Sequence, residues 1–121
     1  MSGERYRKHF IPLESNPAVF SQLIHHLGAS PRLTFQDIVS LDDPDSLPHP
    51  ALALILVFPT SNAYEAHKAK EEATCQEYKG SGEGEDVLWF KQTINNACGL
   101  YGALHAVSNG ETRALISRHY P

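Results

Sequence analysis

One stretch decides how this chain is to be interpreted, and it reads Lys91-Gln92-Thr93-Ile94-Asn95-Asn96-Ala97-Cys98-Gly99. It places a cysteine where a polar loop passes into an apolar segment. Backbone N–H groups at a helix start favour a nearby negative charge, so a cysteine there favours its thiolate form. The Gln92 amide, six residues earlier, can point N–H groups at an oxyanion forming beside the sulfur. The pattern is typical of half of a cysteine-protease site.

The segment after the cysteine predicts a buried helix. Almost no charge precedes Glu111, and the apolar positions are Leu100, Tyr101, Ala103, Leu104, Ala106 and Val107. A helix that is apolar on most sides is a buried one. Alternatives remain for the motif residues: Cys98 could be a small buried filler and Gln92 an ordinary loop hydrogen-bonding group. Asn95 and Asn96 could cap the helix or touch a substrate.

Continuous apolar residues from Ala51 to Phe58, stopped by Pro59, predict the central strand of an α/β sheet. A strand covered on both faces has this unbroken pattern. The residues Phe35 to Val39 predict a second, short strand. The expected architecture is therefore a central apolar strand with helices packed around it.

The first helix is marked by local signals. Asn16 can cap it, and Pro17 suits the first helical position. Apolar residues then recur at helical spacing, and Gly28 can end the helix. The recurring positions are Val19, Phe20, Leu23, Ile24 and Leu27.

A second helix is predicted to start at Asn62, with Glu65 completing a capping box, and to continue to about Tyr78. Cys75 lies on this charged helix and is expected to be an exposed or half-exposed bystander. The residues from Gly80 to Asp86 predict a flexible acidic loop.

Composition narrows the class of protein. With 121 residues, 41% hydrophobic residues and a net charge of −4, the chain is expected to be a single globular domain that does not bind nucleic acid. The apolar runs are too short for a membrane span, and no signal peptide is seen. Two cysteines without a CxxC spacing indicate a reducing, intracellular setting. The histidine spacing predicts no metal site, and no cofactor is expected.

Three separated pieces resemble the ubiquitin C-terminal hydrolases, the UCH family of cysteine deubiquitinases. Pro12-Leu13-Glu14-Ser15-Asn16-Pro17 resembles the motif before that family's first helix, and Leu52 to Pro59 resembles its central strand. The segment from Phe90 to Ala106 follows the family's active-site signature almost position by position. Its matching residues are Gln92, Asn95, Asn96, Cys98, Gly99, Gly102 and His105. The resemblance runs from about Phe10 to Asn109.

The resemblance implies thiol-dependent hydrolysis of ester, thioester, amide or isopeptide bonds at the C-terminal glycine of ubiquitin. Cys98 matches the nucleophile, and Gln92 matches the residue that stabilises the oxyanion with the backbone N–H at the cysteine. The segment Pro12 to Pro17 matches the ubiquitin-binding face, and Asn96 matches a residue beside the site. The implied fold is papain-like α/β, and the implied protein is a monomeric cytoplasmic or nuclear hydrolase acting on ubiquitin or a ubiquitin-like modifier.

The resemblance also implies a catalytic histidine on a strand well downstream of the nucleophile, followed by an aspartate. His105 matches a non-catalytic family histidine, and His119 lies in a tail without that strand context, so neither is assigned as the base. Residues 1–121 are therefore expected to form the N-terminal portion of a truncated UCH catalytic domain, with most sheet strands missing. Two alternatives follow: a catalytically incompetent ubiquitin-binding remnant, or a fragment that does not fold alone.

Overall fold

The computed structural model describes residues 8–11, 15–47, 49–82 and 84–116. In chain order the elements are β1 (Lys8–His9), α1 (Pro17–His26), a 3₁₀ turn (Pro44–Ser46), α2 (Asn62–Glu72), β2 (Ile94–Asn95), α3 (Cys98–Ser108) and a second 3₁₀ turn (Gly110–Leu115). The strands β1 and β2 pair in parallel, with Lys8 opposite Ile94 and His9 opposite Asn95. The described residues thus combine three α-helices with a small parallel sheet. None of these helices is long and apolar enough to cross a lipid bilayer.

Helix α1 confirms the prediction from its local signals. The Asn16 side chain accepts a hydrogen bond of 2.9 Å from the Ala18 N–H, and Pro17 is the first helical residue. After the helix, Gly28 has a φ of 104°, a left-handed conformation that glycine adopts without a steric penalty. The chain can therefore turn back directly onto the helix it has just left.

The core lies where α1 packs against α3. Its buried members are Ile24, Ala29, Ala103 and Val107. Partly buried side chains extend it around α1, among them Phe20 and Phe35, whose ring centroids lie 5.6 Å apart. The segment after α1 is held by polar contacts as well, because the Phe35 N–H donates to Ser21 Oγ at 2.8 Å. This packing fixes the position of α3, the helix that begins at Cys98.

Helix α2 begins as predicted but is shorter. Its cap is Ser61, whose Oγ accepts from the Tyr64 N–H at 3.1 Å, so Glu65 lies one position too late for the predicted capping box. The helix ends at Glu72 rather than near Tyr78. None of its residues is buried, and Cys75 is exposed, as predicted. The ion pair of Lys68 with Glu72 one turn later, at 3.9 Å, supports this exposed helix.

The prediction of a central strand is wrong for this structure. Residues 51–58 form neither strand nor helix, and Leu54 and Leu56 are 77% and 81% exposed. A strand exists only if its backbone N–H and C=O groups find a partner strand, and the described residues supply none for this run. The predicted short strand over residues 35–39 is absent for the same reason.

Candidate active site

Cys98 is the first residue of α3, at the position that the sequence predicts. Its side chain is exposed, so the alternative of a small buried filler is wrong. The residue before it, Ala97, is 2% exposed and anchors the helix start. Among the described residues no side chain caps this helix, and a helix start presents N–H groups and partial positive charge. The thiol therefore lies at the solvent-facing end of a fixed helix.

Gln92 lies in the loop before β2 and is half-buried. Its Nε2 donates to the Ile94 carbonyl oxygen at 2.9 Å. A primary amide has two N–H groups, so one remains after this bond. The bond folds the amide back over Thr93, so its orientation depends on the backbone of residues 93 and 94.

The strand pair fixes the next part of the loop. The Phe10 N–H donates to the Asn95 carbonyl oxygen at 2.8 Å, and Asn95 Nδ2 lies 2.9 Å from His9 Nδ1. The side chain of Asn95 therefore joins the two strands and does not cap α3. Its alternative role, contact with a substrate, stays a prediction.

Asn96 makes the turn from β2 into α3. Its φ is 59°, in the left-handed region that asparagine tolerates better than most residues with a side chain. The residue is exposed, and the helix cap is Ala97 rather than Asn96. The capping alternative for Asn96 is therefore wrong, whereas its contact with ubiquitin beside the site stays a prediction.

Tyr101 adds a contact that the sequence did not reveal. Its Oη accepts from the Thr93 N–H at 3.2 Å and lies 3.2 Å from Thr93 Oγ1. Donation by the Thr93 hydroxyl and N–H stabilises the phenolate and lowers the pKa of Tyr101 from its usual 10.0. The sequence analysis counted Tyr101 among the apolar residues of the helix. The one sequence signal for its place near the site is its spacing of three residues from Cys98, because residues three apart share a helix face.

His105 serves packing and backbone hydrogen bonding. Its Nε2 accepts from the Phe90 N–H at 2.9 Å. Its ring lies 5.1 Å from that of Trp89 and 5.3 Å from that of Phe90, measured between centroids. These contacts agree with leaving His105 unassigned as the base. The other histidine considered, His119, lies outside the described residues.

The predicted ubiquitin-binding segment is only partly described. Pro12, Leu13 and Glu14 lie outside the described residues, whereas Ser15 and Asn16 are exposed. The Oδ1 of Asn16 is engaged in capping α1. Contact of this segment with ubiquitin stays a prediction. In the described part of the chain, no three His, Cys, Asp or Glu side chains form a group able to hold a metal ion.

Comparison with known proteins gives the class of this chain. A family model described as ubiquitin carboxyl-terminal hydrolase, family 1, matches residues 10–119. The sequence is 39% identical over 115 residues to ubiquitin carboxyl-terminal hydrolase YUH1 of Saccharomyces cerevisiae, covering 93% of this chain and 44% of the relative. Against a Drosophila melanogaster ubiquitin carboxyl-terminal hydrolase it is 39% identical, with 83% and 44% covered. Against human isozyme L1 it is 35% identical, with 84% and 45% covered.

These matches are to a family of thiol-type hydrolases, and the chain belongs to it: it is a member of the ubiquitin carboxyl-terminal hydrolase family 1. The chain spans less than half the length of these curated relatives. The activity, substrates and partners of a whole family member are therefore matters for proposal.

Proposed function

We propose that this chain carries the thiol part of a ubiquitin hydrolase site, with Cys98 as nucleophile and Gln92 as oxyanion donor. The observation that carries the proposal is an exposed cysteine at the first residue of a packed helix, in a chain that the family model matches over residues 10–119. The loop before that helix carries a half-buried amide. These are the groups that acyl transfer to sulfur requires.

The chemistry begins when the Cys98 thiolate attacks the carbonyl carbon of ubiquitin's C-terminal glycine. A carbon–sulfur bond forms, and the carbonyl electron pair moves onto oxygen. That oxyanion accepts hydrogen bonds from the Gln92 amide and the Cys98 backbone N–H. Its collapse expels the leaving group, which takes a proton, and water then hydrolyses the thioester. Because His105 accepts the Phe90 N–H, we do not assign the proton transfer to it. The resemblance implies a catalytic histidine, and we assign that role to no histidine of this sequence.

Further features belong to the same proposal. Residues 1–121 would form one domain, the N-terminal portion of a papain-like UCH fold. Ubiquitin, or a ubiquitin-like modifier, would contact the segment Pro12 to Pro17 and Asn96. The protein would act as a monomer in the cytoplasm or nucleus.

A probe experiment tests the thiol site. Ubiquitin carrying a C-terminal electrophile should label the folded protein, as judged by a mass increase of one ubiquitin. Cys98→Ser should abolish the labelling. Cys75→Ser is the matched control, because Cys75 is also exposed, and this variant should label as the unmodified chain does. Absence of labelling in a sample with a cooperative thermal transition would overturn the proposal.

A second measurement separates the enzyme from the alternative of a binding remnant. Hydrolysis of a fluorogenic C-terminal ubiquitin amide should depend on Cys98 and should fall about 100-fold in Gln92→Ala, the size expected for loss of one oxyanion donor. Labelling without turnover would favour the remnant.

A further inference from the structure

The side chain of Tyr101 joins the helix of Cys98 to the residue that follows Gln92. Tyr101 lies in the first turn of α3, three residues after Cys98, and residues at this spacing share a helix face. Its Oη is 3.2 Å from the Thr93 backbone nitrogen and 3.2 Å from Thr93 Oγ1. Thr93 is the residue directly after Gln92.

The Gln92 amide depends on the same short stretch of backbone. Its Nε2 donates to the Ile94 carbonyl oxygen at 2.9 Å, so the side chain closes over Thr93. A rotation of the peptide units on either side of Thr93 would carry the amide with it. Fixing Thr93 therefore fixes where the amide of Gln92 lies.

The opposite end of the loop is held by a different element. There the Phe10 N–H donates to the Asn95 carbonyl oxygen at 2.8 Å, which ties the loop to β1. This bond connects the loop to the N-terminal strand and not to α3. Before Gln92 the chain is bonded to α3 through the Phe90 N–H and His105. The Tyr101–Thr93 contact holds the residue directly after Gln92 against the same helix.

The hydroxyl of Tyr101 is the part of the side chain that makes this connection. A phenylalanine would fill the same volume on α3 but would leave the Thr93 N–H without its acceptor. We propose that Tyr101 is a positioning residue: its two contacts with Thr93 hold the side-chain amide of Gln92 in a fixed position relative to Cys98. This inference rests on the proposed roles of Cys98 and Gln92.

Nuclear magnetic resonance tests the positioning directly, without any turnover. In Tyr101→Phe we expect the Thr93 amide to exchange about five-fold faster, as for loss of one hydrogen bond. The Gln92 side-chain order parameter should fall toward the values below about 0.6 that mark flexible groups. Thr93→Val keeps the backbone donor and should give a smaller change. Tyr64→Phe removes a hydroxyl from the exposed helix α2 and should change neither quantity.

An unchanged Gln92 order parameter in Tyr101→Phe would overturn the inference, even if the Thr93 amide exchanged faster. That result would mean that Tyr101 stabilises the loop but does not orient the amide. A simple loss of packing would also lower the unfolding temperature without a specific change at Gln92. The Gln92 signal therefore separates a positioning role from a merely structural one.

A binding measurement tests the consequence for chemistry. With a ubiquitin C-terminal aldehyde, Cys98 sulfur adds to the carbonyl carbon while the thiol proton passes to the carbonyl oxygen, giving a hemithioacetal. The affinity ratio of aldehyde to unmodified ubiquitin reports the stabilisation of that oxygen. The ratio should fall about ten-fold in Tyr101→Phe, less than for removal of an oxyanion donor outright, and should not change in Tyr64→Phe.

The two measurements distinguish failure of the proposed function from failure of the positioning role. Equal binding of aldehyde and unmodified ubiquitin by the unaltered chain would count against the proposed function, and the resonance data would still decide whether Tyr101 orients Gln92. A preference for the aldehyde that survives Tyr101→Phe undiminished would overturn the positioning role alone.

Discussion

Asn109 and Leu88 exchange two hydrogen bonds across 21 residues of chain. The Leu88 N–H donates to Asn109 Oδ1 at 2.8 Å, and Asn109 Nδ2 donates to the Leu88 carbonyl oxygen at 3.0 Å. The same nitrogen lies 3.0 Å from the His105 carbonyl oxygen. One amide thus satisfies both backbone groups of Leu88 and ties the end of α3 to the segment leading into the Gln92 loop.

Asn109→Ala should therefore destabilise the fold. It leaves the partly buried backbone groups of Leu88 without partners, which costs about 2 kcal/mol in the free energy of unfolding by urea. Asn62→Ala is the control: Asn62 is exposed at the start of α2, and its replacement should change stability by less than about 0.5 kcal/mol. Equal effects of the two variants would contradict the role given to Asn109.

The second prediction concerns His105. His105→Phe keeps a ring between Trp89 and Phe90 but removes the acceptor of the Phe90 N–H, so stability should fall by about 1–2 kcal/mol. The rate at which iodoacetamide alkylates Cys98, measured with Cys75 replaced by serine, should stay the same because His105 is not its base. A slower alkylation in a folded His105→Phe protein would mean that the ring acts on the sulfur.

The pKa values of two tyrosines are predicted to differ from the usual value in opposite directions. Tyr78 donates to Glu85 Oε2 at 2.6 Å, and this bond to a carboxylate raises its pKa, whereas bonds from Thr93 lower the pKa of Tyr101. Ring-carbon resonances should show Tyr101 ionising first. Glu85→Gln should bring the pKa of Tyr78 back toward its usual value. Glu77→Gln, which removes the carboxylate that pairs with Lys91 at 3.2 Å, should leave the raised pKa of Tyr78 unchanged.

The raised pKa of Tyr78 and the lowered pKa of Tyr101 determine how each contact contributes to stability as the pH changes. The stabilisation from Tyr78 is present below the usual pKa of about 10 and is lost as pH rises through its raised value in the folded protein. The stabilisation of the Tyr101 phenolate develops as pH rises through its lowered value and is complete above about 10. Alkaline unfolding should therefore begin at lower pH in Thr93→Val than in the unaltered chain. The reverse order would contradict the assignment.

Local signals account for the parts of the fold that the sequence predicted. The cap at Asn16, the proline at the first helical position and the left-handed Gly28 each act within a few residues, so α1 could be predicted. The helix start at Cys98 followed from one contiguous motif. The end of α2 was predicted too late, at about Tyr78 rather than Glu72, because neither glycine nor proline interrupts residues 73–78.

Contacts between distant residues account for what the sequence did not predict. The strands β1 and β2 have two residues each and join positions far apart in the chain, so no alternating pattern marks them. For Asn95 the sequence left open a helix cap or a substrate contact, and its side chain bonds to His9 rather than capping α3. Tyr101 was assigned to the apolar helix from its ring, and no sequence pattern marks the contact of its hydroxyl with Thr93.

Two glycines of the C-terminal region should respond in opposite ways to alanine. A Cβ on Gly102 would lie 4.0 Å from Ile55 Cδ1, an ordinary contact, so Gly102→Ala should stabilise α3 by about 0.5–1 kcal/mol. Gly110 has a φ of 63°, and Gly110→Ala should destabilise by about 1 kcal/mol. Thermal unfolding of both variants checks this pair. Destabilisation by Gly102→Ala would show that Ile55 packs more tightly on α3 than the structure indicates.

The last prediction compares the observed core with the run that the sequence assigned to it. Ile24 is 2% exposed and Leu56 is 81% exposed. Ile24→Ala should lower the free energy of unfolding by about 2–5 kcal/mol, the cost of a cavity in a packed core. Leu56→Ala should lower it by less than about 0.5 kcal/mol, because water already surrounds most of the side chain. A large cost at Leu56 would mean that residues 51–58 are buried in solution and would restore the central strand that the sequence predicted.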